Sequence, residues 1–225
     1  MWFNLATVVS VVFTAGTAQA ADSSRFLALG DSYTIGEGVA ADARWPAQLV
    51  ALLHAQGVVL GAPEIIARTG WTTDELAAAM DATSLHPPYA LVTLLIGVNN
   101  QYRGRDLNNY RGEFRSLLER AVELAGKRPQ RVIVVSIPDW GVTRFGRASG
   151  RDQAEIARAI DVYNAANAEI AKMLHVRYVD VTAVSRDGGD HVGMLVADGL
   201  HPSAAMYRRW AELVVPQVQA ALSSP

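Results

Sequence analysis

The chain has 225 residues, half of them hydrophobic, with 20 Lys and Arg against 22 Asp and Glu and no cysteine. That length and apolar content suit one sizeable core. The balanced, scattered charge gives no footprint for nucleic acid, and the lack of cysteine excludes disulfides, thiolate metal sites, a Cys nucleophile and lipid attachment through cysteine.

Residues 2–17 are apolar and run into Ala18-Gln19-Ala20. Small residues at Ala18 and Ala20 fit the cleavage pattern of an export signal, although no Lys or Arg precedes the apolar run. A membrane anchor is the alternative, but the stretch is short and diluted by Asn4, Thr7, Ser10 and Thr14. The expectation is cleavage after Ala20. It leaves a secreted or periplasmic single domain, residues 21–225, with no stable membrane insertion.

Beyond Ala21 the pattern alternates. RFLALG (25–30) reads as a strand, and WPAQLVALLHAQG (45–57) as a helix ending near Gly57. PEIIARTG (63–70) is a second strand. A helix follows at 72–80, with Thr72 and Glu75 in capping-box spacing. YALVTLLIG (89–97) is nearly all apolar, as a parallel strand buried on both faces should be. The next helix starts near Asp106 and sets Tyr110, Phe114, Leu117, Leu118, Ala121, Leu124 and Ala125 on one stripe. RVIVVSIP (131–138) is a fourth strand. Ile156, Ile160, Tyr163, Ile170 and Leu174 mark another helix, VRYVDVT (176–182) a fifth strand, and Pro202 the first turn of a last helix. Residues 138–151 and 183–201 read as irregular. Strand–helix alternation predicts a three-layer α/β sandwich with a parallel sheet. Ligands of such sheets bind beyond the carboxyl ends of the strands.

Four of those ends carry reactive or close-approach residues. Gly30-Asp31-Ser32 follows the first strand. Alone, Ser32 or Asp31 reads as a helix cap. The glycines at 30, 36 and 38 do not make a phosphate loop, and the G-x-S-x-G elbow is absent from the chain. Gly70 follows the second strand and can bring a bare backbone N–H to a ligand. Asn99 and Asn100 follow the third; they are turn formers, or amide donors to an oxyanion. Asp198 and His201, three apart, precede the last helix. They read as a surface acid and a helix cap, or as a carboxylate orienting an imidazole. Taken together, the four ends hold a nucleophile, a base, an orienting acid and oxyanion donors.

Gly30-Asp31-Ser32, Gly70, Gly97-x-Asn99 and Asp198-x-x-His201, in that order, resemble the four blocks of the SGNH (GDSL) hydrolases. LGDSYTIGEG…WPAQL is most similar to the bacterial thioesterase I/lysophospholipase L1 branch. The resemblance implies a flavodoxin-like sandwich of five parallel strands and a carboxylic ester (or thioester) hydrolase. It makes Ser32 the nucleophile, His201 the general base and acid, and Asp198 its orienting partner. The Ser32 and Gly70 N–H groups and the Asn99 amide would form the oxyanion hole. Asn100 departs from the family pattern, which has Asp at that place.

An enzyme of this kind needs no cofactor or metal, acts as a monomer on a small-molecule ester, and loses activity on the acid side of about pH 6–7. A carbohydrate O-acetylesterase is the alternative within the fold; a non-catalytic ligand-binding domain is the alternative outside the class. Asp31, Trp71, Asn100, Tyr102 and Trp140 are candidates to line the substrate site, with Phe145, Arg103 and Arg105 near them. Asp187, Asp190 and His191 resemble a metal cluster but read equally as a polar, glycine-rich loop.

Overall fold

The computed structural model describes residues 24–223 apart from residue 190. The expected export signal lies outside the described residues. Five parallel strands form one sheet in the order β2-β1-β3-β4-β5: β1 Phe26–Gly30, β2 Pro63–Ala67, β3 Leu91–Leu95, β4 Val132–Val135 and β5 Arg177–Val179. The middle strands β1, β3 and β4 are apolar and buried throughout, because helices cover both of their faces. The edge strands carry Pro63, Glu64 and Arg177 and are partly exposed; proline is tolerated at an edge because no neighbour needs its missing N–H.

Nine helices connect or flank the strands in the described residues: α1 Ser32–Ile35, α2 Trp45–His54, α3 Thr73–Ala82, α4 Val98–Tyr102, α5 Leu107–Leu124, α6 Arg144–Ala148, α7 Gln153–Met173, α8 Thr182–Gly188 and α9 Ala204–Ser223. Right-handed crossovers decide their faces. The chain steps one way from β1 to β2 and the other way from β2 through β3, β4 and β5. Accordingly α2 packs with α9 in one layer, while α3, α5 and α7 pack in sequence in the other. The expected stripe of α5 faces the core, with Tyr110, Phe114, Leu117, Leu118 and Ala121 buried.

Several boundaries differ from the sequence reading; β2, β3 and β4, for example, are shorter than the runs read as strands. The last helix begins at Ala204, not at Pro202, because Pro202 pairs with Leu195 in an isolated antiparallel bridge and Ser203 precedes the helix. The fifth strand ends at Val179 instead of running to Thr182. There the Asp180 carboxylate accepts from the Thr182 N–H (2.7 Å), and the Ser136 hydroxyl oxygen accepts from the N–H groups of Val181 (2.8 Å) and Thr182 (3.1 Å). These bonds turn the chain into α8. The stretches 138–151 and 183–201 are not wholly irregular: a 3₁₀ turn at Trp140–Val142, α6, and most of α8 occupy them.

Strand order reverses between β1 and β3. Their carboxyl ends, Gly30 and Leu95, are register partners. A crevice opens at such a switch point because the connections leave on opposite faces.

Candidate active site

The first wall of the crevice is α1. Asp31 caps it: Oδ1 accepts from the Tyr33 N–H at 3.0 Å. Asp31 is fully buried, its Oδ2 has no protein partner, and burial pushes its carboxyl up to about 7. Ser32 is the first helical residue, so its N–H points out of the first turn, where helix donors are free.

The second wall is the loop between β2 and α3. Gly70 takes φ +87°, a left-handed conformation costly for residues with a side chain. The Glu75 carboxylate accepts from the Thr72 N–H at 2.8 Å, as the capping-box spacing predicts, and the Thr72 hydroxyl donates to the carboxylates of Asp74 and Glu75. The third wall is α4. Asn99 is partly exposed, and its Nδ2 donates one hydrogen to the Trp71 carbonyl at 2.9 Å. An amide has two such hydrogens, and Asn99 lines the crevice.

The fourth wall is the loop ahead of α9. Asp198 Oδ1 accepts from the N–H groups of Leu200 (2.8 Å) and His201 (3.0 Å), while Oδ2 lies 2.6 Å from His201 Nδ1. Burial works against the Asp198 charge, but the hydrogen bonds from the His201 ring and from those two N–H groups hold its carboxyl below the usual range. An ionised carboxylate only accepts, so Nδ1 carries the hydrogen, and in the neutral ring Nε2 is the nitrogen with the lone pair. The His201 ring, itself buried, sits 5.8 Å from the Tyr33 ring, which in turn meets the edge of Trp210 at 5.9 Å.

Ser32, Gly70, Asn99 and His201 line one cavity of about 200 Å³. Its far side is aromatic: Tyr102 meets Trp140 edge-on at 5.3 Å, and Phe145 tilts against both. Arg151 lies over Tyr102 at 4.4 Å. Trp140 is fixed by its indole N–H, which donates to Gln101 (2.9 Å), and by Asp139, which caps its turn and pairs with Arg186 at 2.8 Å. Tyr33, Thr69, Val98 and Leu200 complete the lining.

Of the residues expected to touch substrate, Tyr102 and Trp140 line the cavity. Asp31 is buried beneath α1, Trp71 offers its carbonyl to Asn99, and Asn100 is buried behind the β2–α3 loop, where it bonds Thr73. None of these three lines it. Thr69, Val98 and Leu200 were missed in the sequence because single residues beside a motif carry no pattern of their own. A larger groove of about 680 Å³ runs between α3 and α5, but no histidine lines it. No metal-type cluster of three His, Asp or Glu occurs among the described residues. Asp187 accepts from Arg209 at 2.7 Å, and Asp190 lies outside the described residues.

Comparison with known proteins gives the same architecture. A profile of the GDSL-like lipase/acylhydrolase family matches residues 28–209. No curated protein matches the chain. Among solved structures, the chain is similar to TesA (22% identity, TM-score 0.69, 88% of this chain and 99% of that one). It is also similar to a variant of Axe2, an acetyl xylan esterase from Geobacillus stearothermophilus (21%, 0.65, 87% and 94%). A third is the psychrotrophic esterase EstA from Pseudoalteromonas sp. (15%, 0.67, 89% and 99%). At these identities the likeness is one of fold.

Proposed function

The chain belongs to the GDSL-like lipase/acylhydrolase family and is an esterase or acylhydrolase, and from that premise we propose that it cleaves carboxylic esters through Ser32, His201 and Asp198. Ser32 Oγ attacks the ester carbonyl while His201 Nε2 takes its proton. The N–H groups of Ser32 and Gly70 and the free hydrogen of the Asn99 amide hold the oxyanion. The tetrahedral adduct collapses, His201 passes its proton to the leaving alcohol, and water, deprotonated by the same nitrogen, frees the acid from Ser32. Asp198 keeps the ring in the tautomer this requires and offsets the charge of the imidazolium. No step calls for a metal or cofactor.

The observation that carries this reading is the 2.6 Å contact of His201 with Asp198 on the cavity that Ser32 also lines. The cavity has an aromatic wall and is smaller than the usual range for drug-sized ligands, which suits a short acyl or a single ring better than a long chain. A panel of p-nitrophenyl acetate, longer acyl esters, acyl-CoA and acetylated sugars separates a general esterase from a thioesterase and from a carbohydrate O-acetylesterase. A fluorophosphonate probe should label Ser32 in the folded protein, and Ser32→Ala should lose both label and hydrolysis. Hydrolysis that survives Ser32→Ala refutes the mechanism. We also propose export with removal of residues 1–20, which N-terminal sequencing of the exported protein tests.

A further inference from the structure

Gly70 stands on the β2–α3 loop and Asn99 on α4, so their alignment depends on side chains that cross between the two. Three do so. Asn99 donates to the Trp71 carbonyl (2.9 Å), Arg103 donates to the Gly70 carbonyl (2.7 Å), and Asn100 bonds Thr73 twice. Asn100 and Thr73 are both fully buried.

The hydrogen-bond polarity at Thr73 is fixed by its backbone. The Thr73 N–H can only donate, so the atom facing it at 3.1 Å is Asn100 Oδ1. Asn100 Nδ2 then faces the Thr73 hydroxyl at 2.7 Å and donates to it. The hydroxyl oxygen is thereby an acceptor on that side, and its own hydrogen goes to Glu113 Oε2 on α5. Glu113 Oε1 accepts from Asn109 at 2.7 Å. Reading the chain of donors outward, each member is compatible only with the next.

We propose that Asn100 is a positioning residue of the oxyanion hole, and that its neutral amide and the Glu113 carboxylate are a matched pair joined through the Thr73 hydroxyl. The inference rests on the serine-esterase reading above. It explains why this chain has Asn100 where its family pattern has Asp. A carboxylate at position 100 would turn an oxygen toward the lone pair of Thr73, whose hydrogen is already given to Glu113. It would also bury a negative charge one residue from a donor to the developing oxyanion. In this chain that charge stands on α5 instead, with one neutral side chain between it and Asn100.

The test is a double-mutant cycle of Asn100→Asp and Glu113→Gln. In Asn100→Asp the staple loses a bond and gains a charge, so kcat on p-nitrophenyl acetate should fall about 10–100-fold with KM within about threefold, and affinity for a boronic acid transition-state analogue should fall in parallel. Glu113→Gln alone keeps an acceptor for Thr73 and should cost about threefold or less. In the double variant the new amide at position 113 can donate to the Thr73 oxygen. That frees the hydroxyl hydrogen for the new carboxylate at position 100, so kcat should return to within about fivefold of the parent. Wild-type kcat in Asn100→Asp, or a double variant no better than that single one, overturns the proposal. If Asn100→Asp does not fold, the melting temperature decides: a folded double variant supports the pair, and an unfolded one refutes it. A parent that takes no fluorophosphonate on Ser32 fails the proposed reaction instead; the pairing is then judged on the melting temperatures alone.

Discussion

Replacing Asp31 with Asn should remove a large part of the pH dependence of stability. The Asp31 carboxyl is pushed up from 3.8 to about 7 by burial, roughly three units, and each unit is worth about 1.4 kcal/mol. The folded state therefore holds this proton more tightly than the unfolded chain. Its contribution is fully present below about pH 4, declines as pH rises, and is gone above about pH 7, a total of about 4 kcal/mol. Asn keeps the oxygen that accepts from the Tyr33 N–H and places an uncharged group where Oδ2 lies without a partner. Urea unfolding of both proteins at about pH 5 and pH 8 isolates the effect, since other titrating groups are common to the two. The parent should lose about 3 kcal/mol relative to Asp31→Asn over that interval. Stability curves that run parallel would refute the buried, proton-holding Asp31.

Asp198→Asn should lower kcat by about 10³–10⁴-fold, because the amide favours the wrong tautomer of His201; a loss below about tenfold in steady-state assays would remove Asp198 from the mechanism. Since its hydrogen bonds hold the Asp198 carboxyl below the usual range, it stays ionised where an imidazole titrates. The triad should then contribute one proton to the acid limb of kcat/KM: in the Asp31→Asn background the limb should have unit slope, and a slope of two would contradict that. Asn99→Ala should cost about 10²–10³ in kcat, with KM less affected, if its second amide hydrogen serves the oxyanion. Gly146→Ala would bring a Cβ within 2.3 Å of the Trp140 carbonyl oxygen, so it should destabilise by about 1–3 kcal/mol and raise KM, as melting curves and initial rates will reveal.

The sheet was readable because its central strands are continuous apolar runs, and such runs arise when both faces are covered. The site's outline followed, since Ser32, Gly70, Asn99 and His201 each stand where a strand ends or a helix begins. The short elements were hidden. The five residues of α6 are too few to show a helical period, and its start is set by the Thr143 hydroxyl, which accepts from the Gly146 N–H at 3.0 Å. The break between β5 and α8 depends on Ser136, far away in sequence. Asn100 could not be interpreted from the sequence because its meaning lies in Thr73 and Glu113, which only folding brings beside it.

The packing of α9 along α2 also sets an order of events. Ser32 belongs to the first turns of the described chain, whereas Asp198 and His201 stand just ahead of its last helix, and Gln48 of α2 reaches across to the Ala204 carbonyl at 2.9 Å. A ribosome therefore makes the proposed nucleophile early and its proposed base late, and a chain stopped short of α9 lacks the helix that packs along α2. Such distant pairings close slowly. On the proposed mechanism, hydrolytic competence then waits for the last helix to close the fold.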